Sequence, residues 1–386
     1  MLDFSAHELT RYSRHFALPE FGPAGQQKLK QGSVLIVGAG GLGSPAALYL
    51  AAAGVGRIGL IDFDNIDVTN LQRQIMYTTA DVGMPKLDVA AARLRSLNPE
   101  IEIETHALRL DRENALETIA EYDVVIDGTD NFPTRYLVND ACVLLRKPYV
   151  YGSILRFDGQ VSVFDAQTGP CYRCLFREPP PPGLVPNCAE GGVLGVLPGI
   201  IGSLQALEAV KLLSGVGQPL IGRLVLFDGL SMRFRELKLK KNADCPICGD
   251  HPTITGLIDY EEFCGYMPNG SMHDEREQQM REVTVEELKA RFDRGERPML
   301  LDVREPFEWK IVNLGEYGAR MIPLKQLPDR ENELDREQEL IVYCRSGSRS
   351  AHAAEYLLAQ GFRNVANMKG GMRAWAERID PSLPTY

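Results

Sequence analysis

Short apolar runs alternate with amphipathic stretches over the first two-thirds of the chain. Residues 33–37 (SVLIV), 57–62 (RIGLID) and 123–127 (DVVID) are each typical of a buried strand. Residues 85–97 lie between two of these runs and carry apolar residues at helical spacing. Because strand, helix and strand follow in this order, the pattern predicts a parallel sheet with helices on its faces.

A second unit of the same class begins near Val283. Residues 268–281 are polar and charged without an apolar period, which is typical of a linker. A helix, two strands and a helix are then predicted, at residues 284–292, 299–303, 339–343 and 350–361. We therefore expect an α/β domain over residues 1–267, a linker over 268–282 and a small α/β domain over 283–386.

Composition places the chain among globular proteins, with 386 residues of which 44% are hydrophobic and 24% charged. The net charge of -10 argues against nucleic acid as the main partner. The apolar residues 193–213 are interrupted by polar ones, so we predict a buried helix and no membrane span. Since the N-terminus has no apolar signal core, a cytoplasmic location is expected.

A glycine-rich turn follows the first predicted strand. Gly38, Gly40 and Gly43 form G-x-G-x-x-G, which lets the backbone approach a phosphate at a helix N-terminus. Asp62 ends the next strand, where a carboxylate suits a ribose hydroxyl. These residues alone also fit a dinucleotide-dependent dehydrogenase, or a glycine turn with a structural role only.

Charged residues beyond this turn favour a triphosphate over a redox dinucleotide. Arg73 and Lys86 suit phosphate oxygens, and Asp130 suits a magnesium ion. Each of them taken singly is better explained as a solvated surface charge. The combination is what favours an ATP site.

Four segments together resemble the MoeB/ThiF and ubiquitin-activating enzyme family: residues 38–44 (GAGGLGS), 61–74 (IDFDNIDVTNLQRQ), Lys86 and 127–132 (DGTDNF). Such enzymes adenylate the C-terminal Gly-Gly carboxylate of a small ubiquitin-like protein. The resemblance implies a Rossmann-like nucleotide-binding domain. It also implies contacts to ATP and Mg²⁺ from Gly41, Asp62, Thr69, Asn70, Leu71, Gln72, Arg73, Lys86, Asp130 and Asn131.

Arg14 lies in a segment, TRYSRH, that resembles the part of the family reaching into the partner subunit's ATP site. The resemblance therefore implies a homodimer and a catalytic role for Arg14 beside Arg73 and Asp130. An exposed arginine in a mobile N-terminus is the other interpretation.

Four cysteines form two C-x-x-C pairs, Cys171 with Cys174 and Cys245 with Cys248. Each tight turn presents two sulfurs to one tetrahedral ion, so we predict a structural metal clamp between distant segments. The CYRC and CPICG motifs bind zinc in the MoeB-like family, and the resemblance therefore implies Zn²⁺. Redox pairs or four buried thiols are the alternatives.

Cys188 lies in a loop rich in proline and glycine, PPPPGLVPNCAEGGVLG. Loops carry function more often than cores do, but sequence alone also allows a free surface thiol. In resembling proteins this position is a candidate for covalent attachment of the carrier protein, or for resolving a disulfide intermediate.

Cys344 follows a predicted strand and precedes a predicted helix. At that junction a sulfur faces backbone N–H groups and the positive end of the helix, which favour a thiolate. We therefore predict a reactive cysteine and not a buried core cysteine. The cradle is expected to consist of Arg345, Ser346, Gly347, Ser348 and Arg349, whose two arginines add positive charge.

The spacing of Cys344 and Arg349 is one residue shorter than in tyrosine phosphatases, and it resembles rhodanese sulfurtransferases, whose cysteine carries a persulfide. Residues 300–309 (LLDVREPFEW) and 367–375 (NMKGGMRAW) also resemble rhodanese motifs. The usual GHIPGA-like stretch is replaced by residues 310–324 (KIVNLGEYGARMIPL), which we expect to keep the fold.

As a whole the chain resembles MoeZ-type adenylyltransferase/sulfurtransferases, so we expect an enzyme with both activities. Adenylation of a sulfur carrier would precede attack by the Cys344 persulfide, and a second thiol such as Cys188 would release a thiocarboxylate. Molybdopterin, thiamine, cysteine and thiolation pathways use such carriers, and a cysteine desulfurase or thiosulfate would supply the sulfur. The alternatives are a rhodanese domain that only docks, or a zinc-stabilised nucleotide sensor without turnover.

Overall fold

The computed structural model describes residues 4–180, 191–265 and 281–384. The chain divides into two compact units, Met1–Met272 and His273–Tyr386. Cys188 and most of the predicted linker lie outside the described residues. The last two positions of that linker, Arg281 and Glu282, belong to a strand instead.

The N-terminal unit contains an eight-stranded sheet with helices on its faces. Its strands are β1 (Ser33–Val37), β2 (Arg57–Ile61), β3 (Glu102–His106), β4 (Val124–Asp127), β5 (Tyr149–Leu155), β6 (Asp158–Phe164), β7 (Arg223–Asp228) and β8 (Arg233–Lys238). Its described helices are α1 (Ala6–Arg11), α2 (Ser13–Phe16), α3 (Gly22–Gln31), α4 (Gly43–Ala53), α5 (Lys86–Leu97), α6 (Ala115–Ala120), α7 (Phe132–Leu145), α8 (Tyr172–Leu175), α9 (Val196–Ser214) and α10 (Tyr260–Phe263), with short 3-10 turns at Val68–Asn70 and Thr79–Asp81.

The strand order of this sheet is β3-β2-β1-β4-β5-β6-β7-β8. The first five strands are parallel, with Val34 of β1 opposite Ile58 of β2 and Val124 of β4. All five residues of β1 are buried, because helices cover both faces. The predicted parallel α/β core and its three strands are confirmed. The antiparallel half, β5 to β8, was not predicted.

Helix α9 is long and apolar enough to cross a membrane by length and hydropathy. It packs against α4, β5 and β6, and it buries Leu197, Ile201, Ala206 and Ala209. The prediction of a buried helix is therefore confirmed.

The C-terminal unit contains a five-stranded parallel sheet in the order β11-β10-β12-β13-β9. The strands are β9 (Arg281–Val283), β10 (Met299–Asp302), β11 (Arg320–Met321), β12 (Leu340–Tyr343) and β13 (Val365–Met368). The helices are α11 (Val285–Asp293), α12 (Pro306–Ile311), α13 (Leu327–Arg330), α14 (Ser348–Ala359) and α15 (Gly371–Arg378), with 3-10 turns at Gly315–Tyr317, Leu324–Gln326 and Glu331–Glu333.

The unusual segment 310–324 is folded into this unit. Val312, Leu314 and Ile322 are buried, and the Ile322 N–H donates to the carbonyl oxygen of Asp302 (3.0 Å). Strand β11 extends the sheet beside β10. Apolar residues at the right positions are therefore sufficient to keep the fold here, as expected from the sequence.

Candidate active sites

A cavity of about 1090 Å³ opens at the carboxyl ends of β1, β2 and β4. The chain crosses from β1 to β2 on one side and reaches β4 on the other, so the strand order reverses at this point. Ligands of open α/β sheets bind at such a crevice. The cavity therefore lies where the fold class expects a nucleotide.

The glycine-rich turn forms one wall of the cavity. Gly38 has a φ of 95°, which side-chain-bearing residues rarely adopt. A Cβ on Gly43 would lie 1.9 Å from the carbonyl oxygen of Gly38, so only glycine fits the start of α4. The motif thus brings bare backbone to the cavity at a helix N-terminus, which favours a bound phosphate.

Asp62 is held in place by backbone donors. Its Oδ2 accepts the N–H of Ala39 (2.8 Å), and its Oδ1 accepts those of Phe63 (2.8 Å) and Asp64 (2.9 Å). These bonds join the end of β2 to the glycine turn. They fix the carboxylate at the cavity wall, in the position that suits a ribose hydroxyl.

Lys86 is 5% exposed and reaches the cavity from the start of α5. Its Nζ lies 2.8 Å from Asp64 Oδ2 and 3.9 Å from Asp62 Oδ1. Burial is the largest cause that raises the pKa of the nearby Tyr77 hydroxyl, and the charges of these two carboxylates raise it further. The negative potential of the aspartates therefore holds the ammonium group inside the site.

Most residues assigned to ATP by resemblance line this cavity: Gly41, Asp62, Asn70, Arg73, Lys86, Asp130 and Asn131. Thr69, Leu71 and Gln72 do not line it. Thr69 donates its hydroxyl to Asp67 (2.6 Å), and Leu71 packs against the core. Asn131 also caps α7, since its Oδ1 accepts the N–H of Thr134 (2.9 Å).

Among the other residues that line the cavity, Asp64, Gln74 and Arg135 were not singled out from the sequence. Gln74 is 4% exposed, and its Oε1 has no hydrogen-bond partner among the described residues. Arg135 is 7% exposed, bonds Asp127 through Nε (3.3 Å) and lies over the ring of Tyr151. Asp64 and Gln74 lie within residues 61–74, one of the segments that carry the family resemblance, and that segment was the signal in the sequence for both.

Arg14 lies on α2, where it is exposed, and it does not line the cavity of its own chain. Its assignment to a partner's site stays a prediction.

The four predicted metal ligands come together in space. Cys171 Sγ lies 3.5 Å from Cys245 Sγ, and Cys174 Sγ lies 3.4 Å from Cys248 Sγ. All four sulfurs lie within 4.8 Å of one another. A tetrahedral ion with bonds of about 2.3 Å separates its sulfurs by about 3.8 Å. The cluster is therefore arranged to bind a metal ion.

A buried ion pair connects this cluster to the helix that starts at the cavity. Arg173, between the first two cysteines, donates through Nε and Nη2 to Asp140 on α7 (2.8 Å each). Tyr260 donates its hydroxyl to the same carboxylate (2.9 Å). Because both members of the pair are almost fully buried, the cysteine segment is fixed against α7.

In the C-terminal unit, the persulfide loop (residues 344–349) joins β12 to α14. The Gly347 N–H donates to Cys344 Sγ (3.1 Å), and the Ser350 hydroxyl lies 3.3 Å from the same sulfur. Gly347 takes a φ of 101°, which lets the loop curl back over the sulfur. The N–H of Met372 donates to the Cys344 carbonyl (2.9 Å), so the start of α15 supports the loop.

Two features of this loop differ from the sequence-based expectation. Cys344 is fully buried and packs in an apolar cluster with residues such as Val342 and Leu357, because the loop closes over it. Arg349 does not add an uncompensated charge, since Nη1 and Nη2 bond Glu308 (2.7 and 2.8 Å). Glu308 lies on α12, far from the loop in sequence. The sequence of the loop therefore gives no indication of this ion pair.

Comparisons with known proteins identify a family for each of the two units. The ThiF family matches residues 12–247, which include most of the residues that line the cavity and three of the four cluster cysteines. The chain belongs to the ThiF family. A rhodanese-like domain matches residues 284–378, so this ThiF member carries a second recognised domain.

One relative that matches almost the whole of this ThiF member is named for both activities. A shorter relative is named for the adenylyltransferase activity. "Probable adenylyltransferase/sulfurtransferase MoeZ" of Mycobacterium tuberculosis (strain CDC 1551 / Oshkosh) is 45% identical over 99% of this chain and 96% of its own length. "Sulfur carrier protein adenylyltransferase" of Thermus thermophilus is 57% identical over 68% of this chain and 98% of its own length. A crystal structure of E. coli MccB with ATP has a TM-score of 0.56 and 25% identity, covering 64% of this chain and 75% of that one.

The predicted fold class and enzyme class are therefore confirmed: the protein is an adenylyltransferase and sulfurtransferase of the ThiF family, which uses ATP.

Removing one cluster cysteine is expected to release the metal and destabilise the ThiF unit. We expect Cys248→Ser to reduce the metal content from one ion per chain to a small fraction. The melting temperature should fall by about 10 °C, because a structural metal contributes directly to folding. Metal analysis by mass spectrometry and calorimetry measure the two effects. Cys142→Ser, at a buried cysteine outside the cluster, should keep the ion; equal metal loss in both variants would contradict the assignment.

Proposed function

We propose that the protein adenylates the C-terminal Gly-Gly carboxylate of a small ubiquitin-like sulfur-carrier protein and then converts it into a thiocarboxylate. The observation that carries this proposal is the presence, in one chain, of a cavity lined by Arg73, Lys86 and Asp130, which suit phosphate and magnesium, and of a cysteine loop. The names of the two relatives support both steps.

In the first step a carboxylate oxygen of the carrier attacks the α-phosphorus of ATP, and pyrophosphate leaves. Arg73 and Lys86 stabilise the triphosphate charge, and Asp130 would hold Mg²⁺, which would supply further positive charge to the phosphates. Lys86 is already held in the cavity by Asp64, so binding exchanges a carboxylate for a phosphate as its partner. The fixed groups align the reactants and do not take part in covalent chemistry.

In the second step the terminal sulfur of a Cys344 persulfide attacks the acyl-adenylate carbonyl, and AMP leaves with the electron pair. The acyl-disulfide that results is cleaved when a second thiolate attacks the Cys344 sulfur. The products are the carrier thiocarboxylate and a disulfide between Cys344 and the second cysteine, which a cellular thiol reductant reopens. We assign the second thiol to Cys188.

Several finer assignments belong to the same proposal. We assign Zn²⁺ to the four-cysteine cluster, because closed four-thiolate sites are typical of structural zinc. The proposal also includes a homodimer in which Arg14 enters the partner's site. Its sulfur donor is a cysteine desulfurase, and its location is the cytoplasm. Burial of Cys344 means that the loop must open to expose the sulfur during transfer.

Incubation with a Gly-Gly carrier, Mg-ATP, a sulfur donor and a reductant is expected to replace one carrier oxygen by sulfur. Intact-mass spectrometry of the carrier measures this shift, and a parallel assay measures pyrophosphate. No pyrophosphate release with any tested carrier would contradict adenylation and favour a nucleotide sensor. Pyrophosphate release without the mass shift would favour a rhodanese unit that only docks.

A further inference from the structure

One buried cation of the cavity at the carboxyl ends of β1, β2 and β4 has no role in the two steps described above. Among the described residues, the cationic side chains that line this cavity are Arg73, Lys86, Arg109 and Arg135. Lys86 pairs with Asp64 (2.8 Å), and Arg109 is exposed and pairs with Glu261. Arg135 is only 7% exposed, and the burial of a charge in a cavity wall requires a reason.

The contacts of Arg135 are long and leave part of its hydrogen-bonding capacity unused. Nε lies 3.3 Å from Asp127 Oδ2, and Nη2 lies 3.2 Å from the carbonyl oxygen of Thr129. Nη1 lies 3.5 Å from Ser153 Oγ. A guanidinium group carries five N–H groups, and it binds oxyanions at about 2.7–2.9 Å. These contacts therefore hold the side chain in place while N–H groups remain for a ligand.

Asp127 does not depend on Arg135 for its hydrogen bonds. Its Oδ1 accepts the N–H and the hydroxyl of Thr129 (2.9 and 2.6 Å), and its Oδ2 accepts the hydroxyl of Tyr149 (2.7 Å). In the buried pair beside the cysteine cluster, Arg173 instead makes two bonds of 2.8 Å to its partner carboxylate. The geometry of Arg135 thus differs from that of an arginine whose role is only to compensate a buried carboxylate.

Arg135 is anchored to the segment that packs against the glycine turn. The Gly128 N–H donates to the carbonyl oxygen of Val37 (2.8 Å), and a Cβ on Gly38 would lie 2.9 Å from the Gly128 carbonyl oxygen. The residues on either side of Gly128 are the ones that contact Arg135. Because the turn is where phosphates bind, the guanidinium group lies on the side of the cavity next to the phosphates.

Aromatic rings fix the direction of this guanidinium group. Its Cζ lies 5.3 Å from the ring centre of Tyr151 and 5.7 Å from that of Phe132. Stacking on rings orients a planar cation and leaves its N–H groups free for a planar anion such as a carboxylate.

A substrate carboxylate needs such a cation, because it enters a cavity that already contains acidic groups. The carboxylates that line the described part of the cavity are Asp62, Asp64, Asp67, Asp130 and Glu178. The triphosphate adds further negative charge. Like charges at close range repel, so the approach of a third anion to the α-phosphorus requires a compensating donor.

We infer that Arg135 binds the terminal carboxylate of the carrier and positions it for attack on the α-phosphorus of ATP. One carboxylate oxygen accepts from the guanidinium group. The other oxygen stays free to form the new bond to phosphorus, and pyrophosphate leaves with the electrons of the bond that breaks. The inference rests on the proposed function, because it takes a carrier carboxylate as the second substrate.

The test compares two forms of the carrier that supports pyrophosphate release, one ending in the natural carboxylate and one in a carboxamide. Calorimetry measures the binding of each to the full-length protein with Mg²⁺ and α,β-methylene-ATP, which cannot release pyrophosphate. Wild type should bind the carboxylate form about tenfold more tightly, because one charge-assisted contact depends on it. Arg135→Gln should bind the two forms equally and keep its affinity for the ATP analogue within about twofold.

Two further variants separate carboxylate binding from a structural effect. Arg135→Lys keeps a positive charge beside Asp127, and it decides the matter if the glutamine variant does not fold. Its preference should fall to about threefold, since an ammonium group lacks the planar set of N–H groups. Arg57→Gln is the matched control, because Arg57 also lies over a tyrosine ring and pairs with a carboxylate, Glu104 (3.4 Å), but does not line the cavity. It should keep the tenfold preference.

A tenfold preference retained by the Arg135 variants would overturn the inference. Weaker binding of both carrier forms by the same factor would also overturn it, because that result indicates a structural role. The same holds if wild type releases pyrophosphate with the carrier but binds the two forms equally. If no carrier causes pyrophosphate release in wild type, the proposed function fails and the inference fails with it.

Discussion

Cys344→Ser is expected to abolish thiocarboxylate formation while pyrophosphate release with the carrier continues at the wild-type rate. The serine hydroxyl cannot hold a sulfane sulfur, so no persulfide forms to attack the acyl-adenylate. The cavity to which we assign adenylation belongs to a different unit of the chain. We expect the rate of carrier mass shift to fall by at least about a thousandfold.

The measurement is intact mass of the carrier beside pyrophosphate release, with Cys142→Ser as the matched cysteine control. Cys142 is buried on α7, in the N-terminal unit. Thiocarboxylate formed by the Cys344 variant at more than a few per cent of the wild-type rate would contradict the mechanism. That result would leave the C-terminal unit as a docking domain.

Asp130→Asn is expected to slow carrier adenylation by about a hundredfold or more. The amide keeps the size of the side chain but removes the negative charge that Mg²⁺ requires. Asp130 lines the cavity beside Asn131, directly after β4, where the strand order reverses. Raising the magnesium concentration should restore part of the rate, because the lost carboxylate weakens metal binding rather than removing a reacting group.

Carrier-dependent pyrophosphate release over a magnesium series measures this effect. Asp88→Asn, at an exposed carboxylate in the first turn of α5 outside the cavity, provides the control. Persulfide loading of Cys344 should be unchanged in both variants. Adenylation by Asp130→Asn at the wild-type rate and with the wild-type magnesium dependence would remove Asp130 from the site.

The parallel half of the N-terminal sheet could be predicted because its strands are buried on both faces. Such strands, β1 and β4 among them, form continuous apolar runs between glycine and polar turns. Strand β8 (RFRELK) shows the opposite case, since all six residues are exposed and the strand pairs with β7 at the edge of the sheet. No apolar run marks β8, and this strand was therefore missed.

The candidate sites were predictable where the chemistry is local in sequence. The G-x-G-x-x-G turn, the two C-x-x-C pairs and the cysteine loop each require a particular backbone conformation over a few residues. The residue types that allow this conformation can be recognised in the sequence. Arg135 was not predicted, because its position at the cavity depends on its contacts with Asp127 and Tyr151. These three residues do not form a short sequence motif.

The amino-acid sequence by itself determined the two α/β units, the chemical nature of their sites and the family resemblance. Only the tertiary structure decided which charges remain available in those sites. Lys86 meets Asp64 across 22 residues of chain, and Arg349 meets Glu308 across 41. Pairings of this kind depend on how helices and strands dock, because a charge is compensated by its neighbours in space and not by its neighbours in sequence.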